Sequence, residues 1–412
     1  MHDLLVQLGR DIVRKQSSEP GQRRFLVDER ETCEVLADDA AGSGNVIGIM
    51  FSGGDVNVSE RAFEGMSNLQ FLRLEVERAA SYLSRKLRLL EWKYFPMTCL
   101  DCIPNPELLV ELIMHDSELE KMWEGTKPLS NLKWVDLRYS ENLKDVSSLS
   151  TATSLEELSL SGCSSLVELP SSIGNAIHLK MLDLSGCSSL VELPSSIGNA
   201  IHLKKLDLSG CLYLSKCSSL VKLPSSIGNA IRNFEELDFS DCSSLVGVPS
   251  SIGNATNLKR LDFSRCSSLV ELPASIGNLH KLETLILEEC RKLEALPVNI
   301  NLKSLTTLDL TDCSLMKSFP EISTDIEYMY LAGTAIKEVP SSISLWPRLH
   351  VLHMSYNENL KEFGHEQHRN TRDFSLDQEK LSSFWSCSQR MQRAFVTPTA
   401  SKFIIRPTRR RL

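Results

Sequence analysis

From Leu155 the chain sets apolar residues at fixed offsets: Leu155, Leu158 and Leu160 in the order L-x-x-L-x-L, then Cys163, Leu166, Leu169 and Ile173, with Gly174-Asn175 closing the unit. The string restarts at Leu179 and Leu203 almost letter for letter, and in weaker form at Phe234, Leu258, Leu282, Leu305, Ile326 and Leu349. Successive starts lie 24, 24, 31, 24, 24, 23, 21 and 23 residues apart, and looser copies begin at Leu69, Leu87, Leu109 and Leu132. Helical repeats have periods of about 33 residues or more and lack this leucine order. Period and pattern together predict about twelve or thirteen stacked turns between Leu69 and Phe363.

Within one turn, Leu182 and Leu184 alternate with Lys180, Met181 and Asp183, the period of a short strand with one buried face. Leu190, Leu193 and Ile197 continue the core, and Pro194 forbids an ordinary helix on the way back. The return path is therefore expected to be extended or 3₁₀-like. Narrow strands stacked about 4.8 Å apart against wider outer segments bend the array. The expected fold is α/β, a leucine-rich-repeat solenoid with a curved parallel sheet and an irregular convex face. The 31-residue step comes from an insert, Cys211 to Cys217, plus one residue near Phe234. The insert reads as a slipped Cys-x-x-Leu element, a surface loop or a partner contact.

Three segments follow. Residues 1–50 hold a helical pattern over Met1 to Val13 with Asp3 as N-cap, a short strand over Arg23 to Val27, a helix opening at Asp28, and a strand over Val46 to Phe51. This stretch is too short for a core of its own. Residues 51–363 are the repeats. Residues 364–412 lose the period and read as a basic, disordered tail, which leaves the last turn without an evident polar cap.

Composition narrows the chemistry. Hydrophobic residues make up 42% and aromatic ones only 6%, so an aliphatic core is required. Net charge is −8; the tail from Gly364 contributes +6, leaving −14 on the rest, a poor balance for nucleic acid. No run of about 18 apolar residues spans a membrane, and only Asn57 and Asn254 stand in N-glycosylation sequons. A reducing, cytoplasmic compartment is expected, with Arg406-Pro-Thr-Arg409-Arg-Arg411 available as a nuclear address or phosphate patch.

Seven cysteines share one repeat position: Cys163, Cys187, Cys211, Cys242, Cys266, Cys290 and Cys313. Neighbouring turns bring such residues within disulfide range, but side chains in a ladder point the same way, which favours buried thiols bonded to backbone groups. Cys99-Leu-Asp-Cys102 has the spacing of half a zinc or redox site, with no second pair downstream. A structural return loop before Pro104 is the simpler reading. With histidines scattered and carboxylates on an open sheet, no catalytic constellation emerges and an enzyme is not expected.

Met1-His2-Asp3, Gln7-Leu-Gly-Arg-Asp-Ile-Val-Arg14, Glu19-Pro-Gly-Gln-Arg-Arg-Phe-Leu26 and Asn45-Val-Ile-Gly-Ile49, followed by these repeats, resemble the junction between nucleotide-binding module and repeats in plant TIR-type nucleotide-binding leucine-rich-repeat disease resistance proteins. The resemblance implies that residues 1–50 are a remnant of the nucleotide-binding module. It also implies that His2 occupies the position that lies against the phosphates of bound ADP in the family. No G-x-x-x-x-G-K-[ST] loop is present, so His2 is read as vestigial, no ADP or ATP is expected on this chain, and a truncated form lacking the TIR domain is implied.

Function then rests on the concave face. Its candidate contacts are Lys180, Asp183, Lys204, Lys205, Asp207, Glu235, Asp238, Lys259, Arg260 and Asp262, with Tyr328 and Tyr330 as an aromatic end. An acidic column is expected through Asp183, Asp207, Asp238, Asp262 and Asp309, a mosaic that suits a protein partner. The partner implied is a pathogen effector or the receptor's own nucleotide-binding domain, in a defence response. A degenerate product with no independent role is the competing reading.

Overall fold

The computed structural model describes residues 9, 11–37, 43–51, 58–77, 80–209, 218–357, 359–360 and 375–376. Among the described residues sixteen short strands form one sheet in strict chain order. The first eight are β1 (Phe25–Leu26), β2 (Gly48–Met50), β3 (Phe71–Glu75), β4 (Leu89–Lys93), β5 (Glu111–Ile113), β6 (Trp134–Asp136), β7 (Glu157–Ser159) and β8 (Met181–Asp183). The others are β9 (Lys205–Asp207), β10 (Glu236–Asp238), β11 (Arg260–Asp262), β12 (Thr284–Ile286), β13 (Thr307–Asp309), β14 (Tyr328–Tyr330), β15 (Val351–His353) and β16 (Ser375–Leu376). Parallel pairing runs from β1 to β15, and the register keeps Leu158, Leu182, Leu206, Leu237, Leu261, Leu285 and Leu308 at the buried central position of successive strands.

The convex side follows from proline. Pro170, Pro194, Pro249 and Pro273 hold extended backbone at the N-cap of five-residue 3₁₀ helices such as Ser171–Asn175 and Ser195–Asn199. Each tilts one isoleucine, among them Ile173, Ile197 and Ile252, into the core. One turn departs from this: Ile227–Ala230, here α2, closes as a single α-helical turn. The insert that precedes it, Cys211 to Cys217, lies outside the described residues. The convex segments stack closely: a Cβ on Gly198 would lie 2.7 Å from the carbonyl oxygen of Ser226, the N-cap of α2 in the next turn. Between sheet and convex face, bridges link Glu168, Glu192, Lys222, Gly247 and Glu271 in a second, thinner ladder.

The first fifty residues do not stand apart. Helix α1 (Glu29–Ala37) buries Thr32 and Leu36, and β1 and β2 extend the sheet at its first edge. Leu26, Leu36, Val46, Ile49 and Phe51 belong to the same continuous core as the repeats. Arg23, nearly buried, is held by Glu31 at 2.5 Å. The short strand, the helix opening near Asp28 and the strand before Phe51 match the expectation from sequence; the N-cap residue Asp3 lies outside the described residues.

At the far end the expectation needs correcting. Ser375 and Leu376, within the segment read as structureless tail, form β16 and pair antiparallel with His353 and Leu352 of β15. The last repeat strand thus has a partner. Two residues of strand leave too little alternation to register as a pattern in the sequence.

The cysteine column is a ladder of thiols. The Sγ atoms of Cys163, Cys187, Cys242, Cys266, Cys290 and Cys313 donate to the carbonyl oxygens of Leu137, Leu160, Leu208, Phe239, Phe263 and Leu287, one turn back, at 3.1 to 3.3 Å. All six are buried thiols outside any disulfide. Burial pushes the Cys163 and Cys313 thiols up to about 12.

Candidate protein-binding face

Strand alternation leaves two columns of side chains open on the concave face. Along the first run Phe71, Leu89, Glu111, Trp134, Glu157, Met181, Lys205, Glu236, Arg260, Thr284, Thr307 and Tyr328 in register. Asp207 and Asp238 are paired across β9 and β10.

The second column contains the expected aspartates. Asp183 pairs with Asp207, Asp207 with Asp238, and Asp238 with Asp262, but Ile286 then separates Asp262 from Asp309. The column is four residues, an apolar break, and one more. These carboxylates also have local work. Oδ1 of Asp183, Asp207 and Asp262 accepts the backbone N–H and the hydroxyl of the serine two positions on, at 2.6 to 3.1 Å. Asp238 accepts from Ser240 N–H at 2.8 Å, and Asp309 from Thr311 N–H at 2.9 Å. Each aspartate therefore closes the turn that leaves its strand, a signal visible as Asp-x-Ser or Asp-x-Thr.

Asp262 is not exposed as expected. It is 7% accessible, because Arg260 folds over it at 2.7 Å while Ser264 bonds it from the other side. Burial raises the Asp238 carboxyl above the usual range, and the neighbouring charges of Asp262 and Asp207 add to it.

The basic candidates are partly neutralised on the sheet. Lys180 bonds Glu156 at 2.6 Å, Lys133 approaches the same carboxylate at 3.1 Å, and the two hold Glu156 below its ordinary range. Lys259 does the same for Glu235 at 2.8 Å. Lys205 lies 3.4 Å from Asp207, and Lys204 is exposed. Such surface pairs contribute little stability, roughly 0–1 kcal/mol, and leave the cations free to exchange partners.

The aromatic end is where the sequence placed it. Tyr328, 37% exposed, stacks on His350 with ring centres 6.3 Å apart, and Tyr330 meets His353 edge-on at the same distance. Ser355 Oγ lies 2.8 Å from His353 Nε2.

A second apolar end was missed. Met50 and Phe71, 54% and 41% exposed, lead into Leu89, Ile113 and Trp134 at the other extremity of the same face. A shallow cavity of about 170 Å³ sits there, lined by Met50, Arg73, Glu91, Lys93, Ile113 and His115 among others. Arg73–Glu91 at 2.5 Å and Lys93–Glu75 at 2.9 Å border it. His115 Nε2 stands 3.0 Å from Asp136, which Arg138 grips with two nitrogens. Burial works to raise Asp136, but these hydrogen bonds prevail and hold it below the ordinary carboxylate range. The signal was apolar residues at outward strand positions in Phe71-Leu-Arg and Leu89-Leu-Glu.

After strands β4 to β8 and β10 to β15 one residue takes a left-handed conformation. Gly162, Gly186 and Gly333 supply it in three turns, whereas Tyr94, Asp116, Tyr139, Asp241, Arg265, Glu289, Asp312 and Tyr356 adopt it with side chains. Gly162 has a second reason: the Tyr139 ring lies over it, and a Cβ would come within 2.6 Å of that ring. Arg265 clamps Asp241 with two nitrogens at 2.7 and 2.8 Å, tying adjacent turns along this rim.

Cys102 is buried, with its thiol pushed up to about 12, while Cys99 faces Asp101 Oδ2 at 3.2 Å. Among the described residues no group of three or more His, Cys, Asp or Glu is arranged to hold a metal, and no helix is long and apolar enough to cross a membrane. His2 lies outside the described residues.

Family models described as Leucine Rich Repeat match residues 109–127, 154–176, 178–200 and 257–279. The chain is 58% identical over 381 residues to the "Probable disease resistance protein RPP1" of Arabidopsis thaliana, covering 89% of this chain and 31% of that protein. It is 39% identical over 417 residues to "Disease resistance protein RPS6" of the same plant, covering 94% and 37%. Among solved structures it is similar to "Crystal structure of a TDR receptor", at 19% identity and a TM-score of 0.43, over 79% of this chain and 52% of the other. The chain spans about a third of the length of those two plant relatives, and over that third it is a leucine-rich-repeat homologue of plant disease resistance proteins.

Proposed function

We propose that the concave sheet face is a protein-recognition or regulatory surface acting in plant defence. The partner is a pathogen protein or the nucleotide-binding domain of a receptor of the same family, met in the cytoplasm. One observation carries this reading: an in-register array of charged residues, open to solvent, bounded at both ends by partly exposed aromatic and apolar side chains. Aromatic anchors give affinity when desolvated, and charge in register gives orientation and rejects wrong surfaces. The chemistry supports binding and not catalysis, since the aspartates are committed to turns and the lysines to neighbouring glutamates. No nucleotide is assigned to this chain, and His2 is read as vestigial.

The test is co-expression with a tagged full-length family receptor. Native chain is expected to co-purify, and the triple reversal Lys204→Glu, Lys205→Glu, Lys259→Glu is expected to reduce capture at least about tenfold, the scale of losing a few charge pairs. Equal capture of the reversed chain would remove the concave face from the interaction. Absence of capture for the native chain favours a product with no independent role.

A further inference from the structure

We propose that a row of exposed valines along one flank of the array is a self-association surface, on which two copies of the chain lie face to face in antiparallel register. The flank carries the thinner ladder between sheet and convex side, away from the concave face. Successive turns each give it one outward valine: Val167, Val191, Val221, Val246 and Val270. Their backbones are joined rung to rung, the N–H of each donating to the carbonyl of the valine one turn back at 3.0 to 3.2 Å. Four of the five are 42 to 50% exposed. Leu166 and Leu169, on either side of Val167, already fill the core at that turn, so burial within the chain does not account for the valine. Single apolar residues are ordinary on a surface, but five in register make a continuous strip about 19 Å long at about 4.8 Å per rung.

The ends of the strip identify its occupant. The same repeat position is filled by Glu120 and Lys144 before Val167, and by Glu294 and Lys317 after Val270, with Lys144 N–H bonded to the Glu120 carbonyl and Lys317 N–H to that of Glu294. Nine rungs thus read Glu, Lys, five Val, Glu, Lys. Reversed and laid on itself, the row sets Glu120 against Lys317, Lys144 against Glu294 and valine against valine, with Val221 on the two-fold axis. A parallel arrangement would set each charge against its own copy, and like charges in contact reject it. Complementarity to its own reverse is what an isologous pair requires, since the same patch serves both subunits. The axis that reverses the row passes through Val221 from the concave to the convex side, so both rows keep the same curvature. The end charges are loosely held in the chain: Lys144 lies 3.3 Å from Glu120 and Lys317 3.4 Å from Glu294, all exposed. Pairs of this kind contribute roughly 0–1 kcal/mol, so exchange across an interface costs little. The adjoining column limits the strength. Glu192 would meet Gly247, where space is open, but Glu168 would meet Glu271. One row and its margins also cover less than the roughly 1,600 Å² of a standard interface, which places the dissociation constant at roughly 10–100 µM. Association through the flank leaves the concave sheet open for its partner, so the two surfaces are tested separately.

The full-length chain is followed by sedimentation velocity from about 1 to 300 µM. Native chain is expected to pass from monomer to dimer and no further. Val191→Glu with Val246→Glu, at two exposed positions, is expected to leave it monomeric throughout. Two half-swaps each preserve an in-chain pair: Glu120→Lys with Lys144→Glu, and Glu294→Lys with Lys317→Glu. Either alone should weaken dimers at least about tenfold, and an equimolar mixture should recover native association, because each supplies the charges that the other's reversed row needs. Circular dichroism checks the fold of every variant, and a folding defect cannot produce recovery on mixing. A native chain that stays monomeric, dimers that survive the valine substitutions, half-swaps that dimerise as well as the native chain, or a mixture no tighter than its components would each overturn the proposal.

Discussion

Gly198→Ala is expected to lower the stability of the array by about 3 kcal/mol or more, and to split its unfolding into two transitions. The added carbon would stand 2.7 Å from the Ser226 carbonyl oxygen and 2.6 Å from its Cβ, and the obstacle is backbone with no rotamer to change. Relief requires the 3₁₀ segment Ser195–Asn199 and α2 to part, which loosens Ser226 Oγ from the Ser195 carbonyl at 2.5 Å and withdraws Ile197 and Ile227 from the core. Overpacking in ordinary cores costs roughly 1–3 kcal/mol, and a rigid obstacle lies at or beyond that range. In a solenoid each turn contacts only its neighbours, so one weakened junction divides the cooperative unit. Differential scanning calorimetry reads both effects. A single transition with an unchanged midpoint would show that the convex stacking is slack.

Mild alkali is expected to unfold the protein. Burial pushes the thiols of Cys102, Cys163 and Cys313 up to about 12 and those of Cys266 and Cys290 higher still, against about 8.5 in an unfolded chain. A raised folded value means that the folded state holds its protons longer than the unfolded one. The stabilisation is complete below about pH 8.5 and is lost as pH climbs toward the folded values. Each thiol contributes about 1.4 kcal/mol per pH unit across that window, and five together about 7. A domain stability of about 5–15 kcal/mol is consumed within one to two such units, which puts unfolding near pH 10. Far-ultraviolet circular dichroism against pH measures the midpoint. Replacing Cys163, Cys266 and Cys290 by serine keeps a donor for the carbonyl below each and removes three titrations, so the midpoint should rise. If it does not move, the thiol ladder is not what alkali attacks.

The parts of the fold that depend on alternation were open to reading. Leu182 and Leu184, repeated at fixed spacing, specify a buried strand face whatever the neighbouring residues, and Pro194 followed by a short return leaves little besides a 3₁₀ turn. The thiol column was likewise implied by direction, since ladder side chains run parallel. What stayed hidden depends on side-chain reach or on very short pairing. Asp262 has the pattern of an exposed residue, but the flexible Arg260 beside it covers the carboxylate. The turn-closing role of the aspartates was present in Asp-x-Ser and was read as partner chemistry because outward-facing charge has two uses. β16 is too brief to show a period. The Met50–Phe71 end escaped because outward apolar residues in a looser repeat look like core.

Hydroxyl-radical footprinting of the chain, alone and with a captured family receptor, tests the recognition surface most directly. Both faces offer exposed, oxidisable side chains: Met50, Phe71 and Tyr328 on the concave side, Ile177, Ile201 and Val270 away from it. Recognition through the sheet predicts protection of the first three with the second three unchanged. Protection of Ile177, Ile201 and Val270 with continued oxidation of Met50, Phe71 and Tyr328 would contradict it and move the binding surface to the outer side of the solenoid.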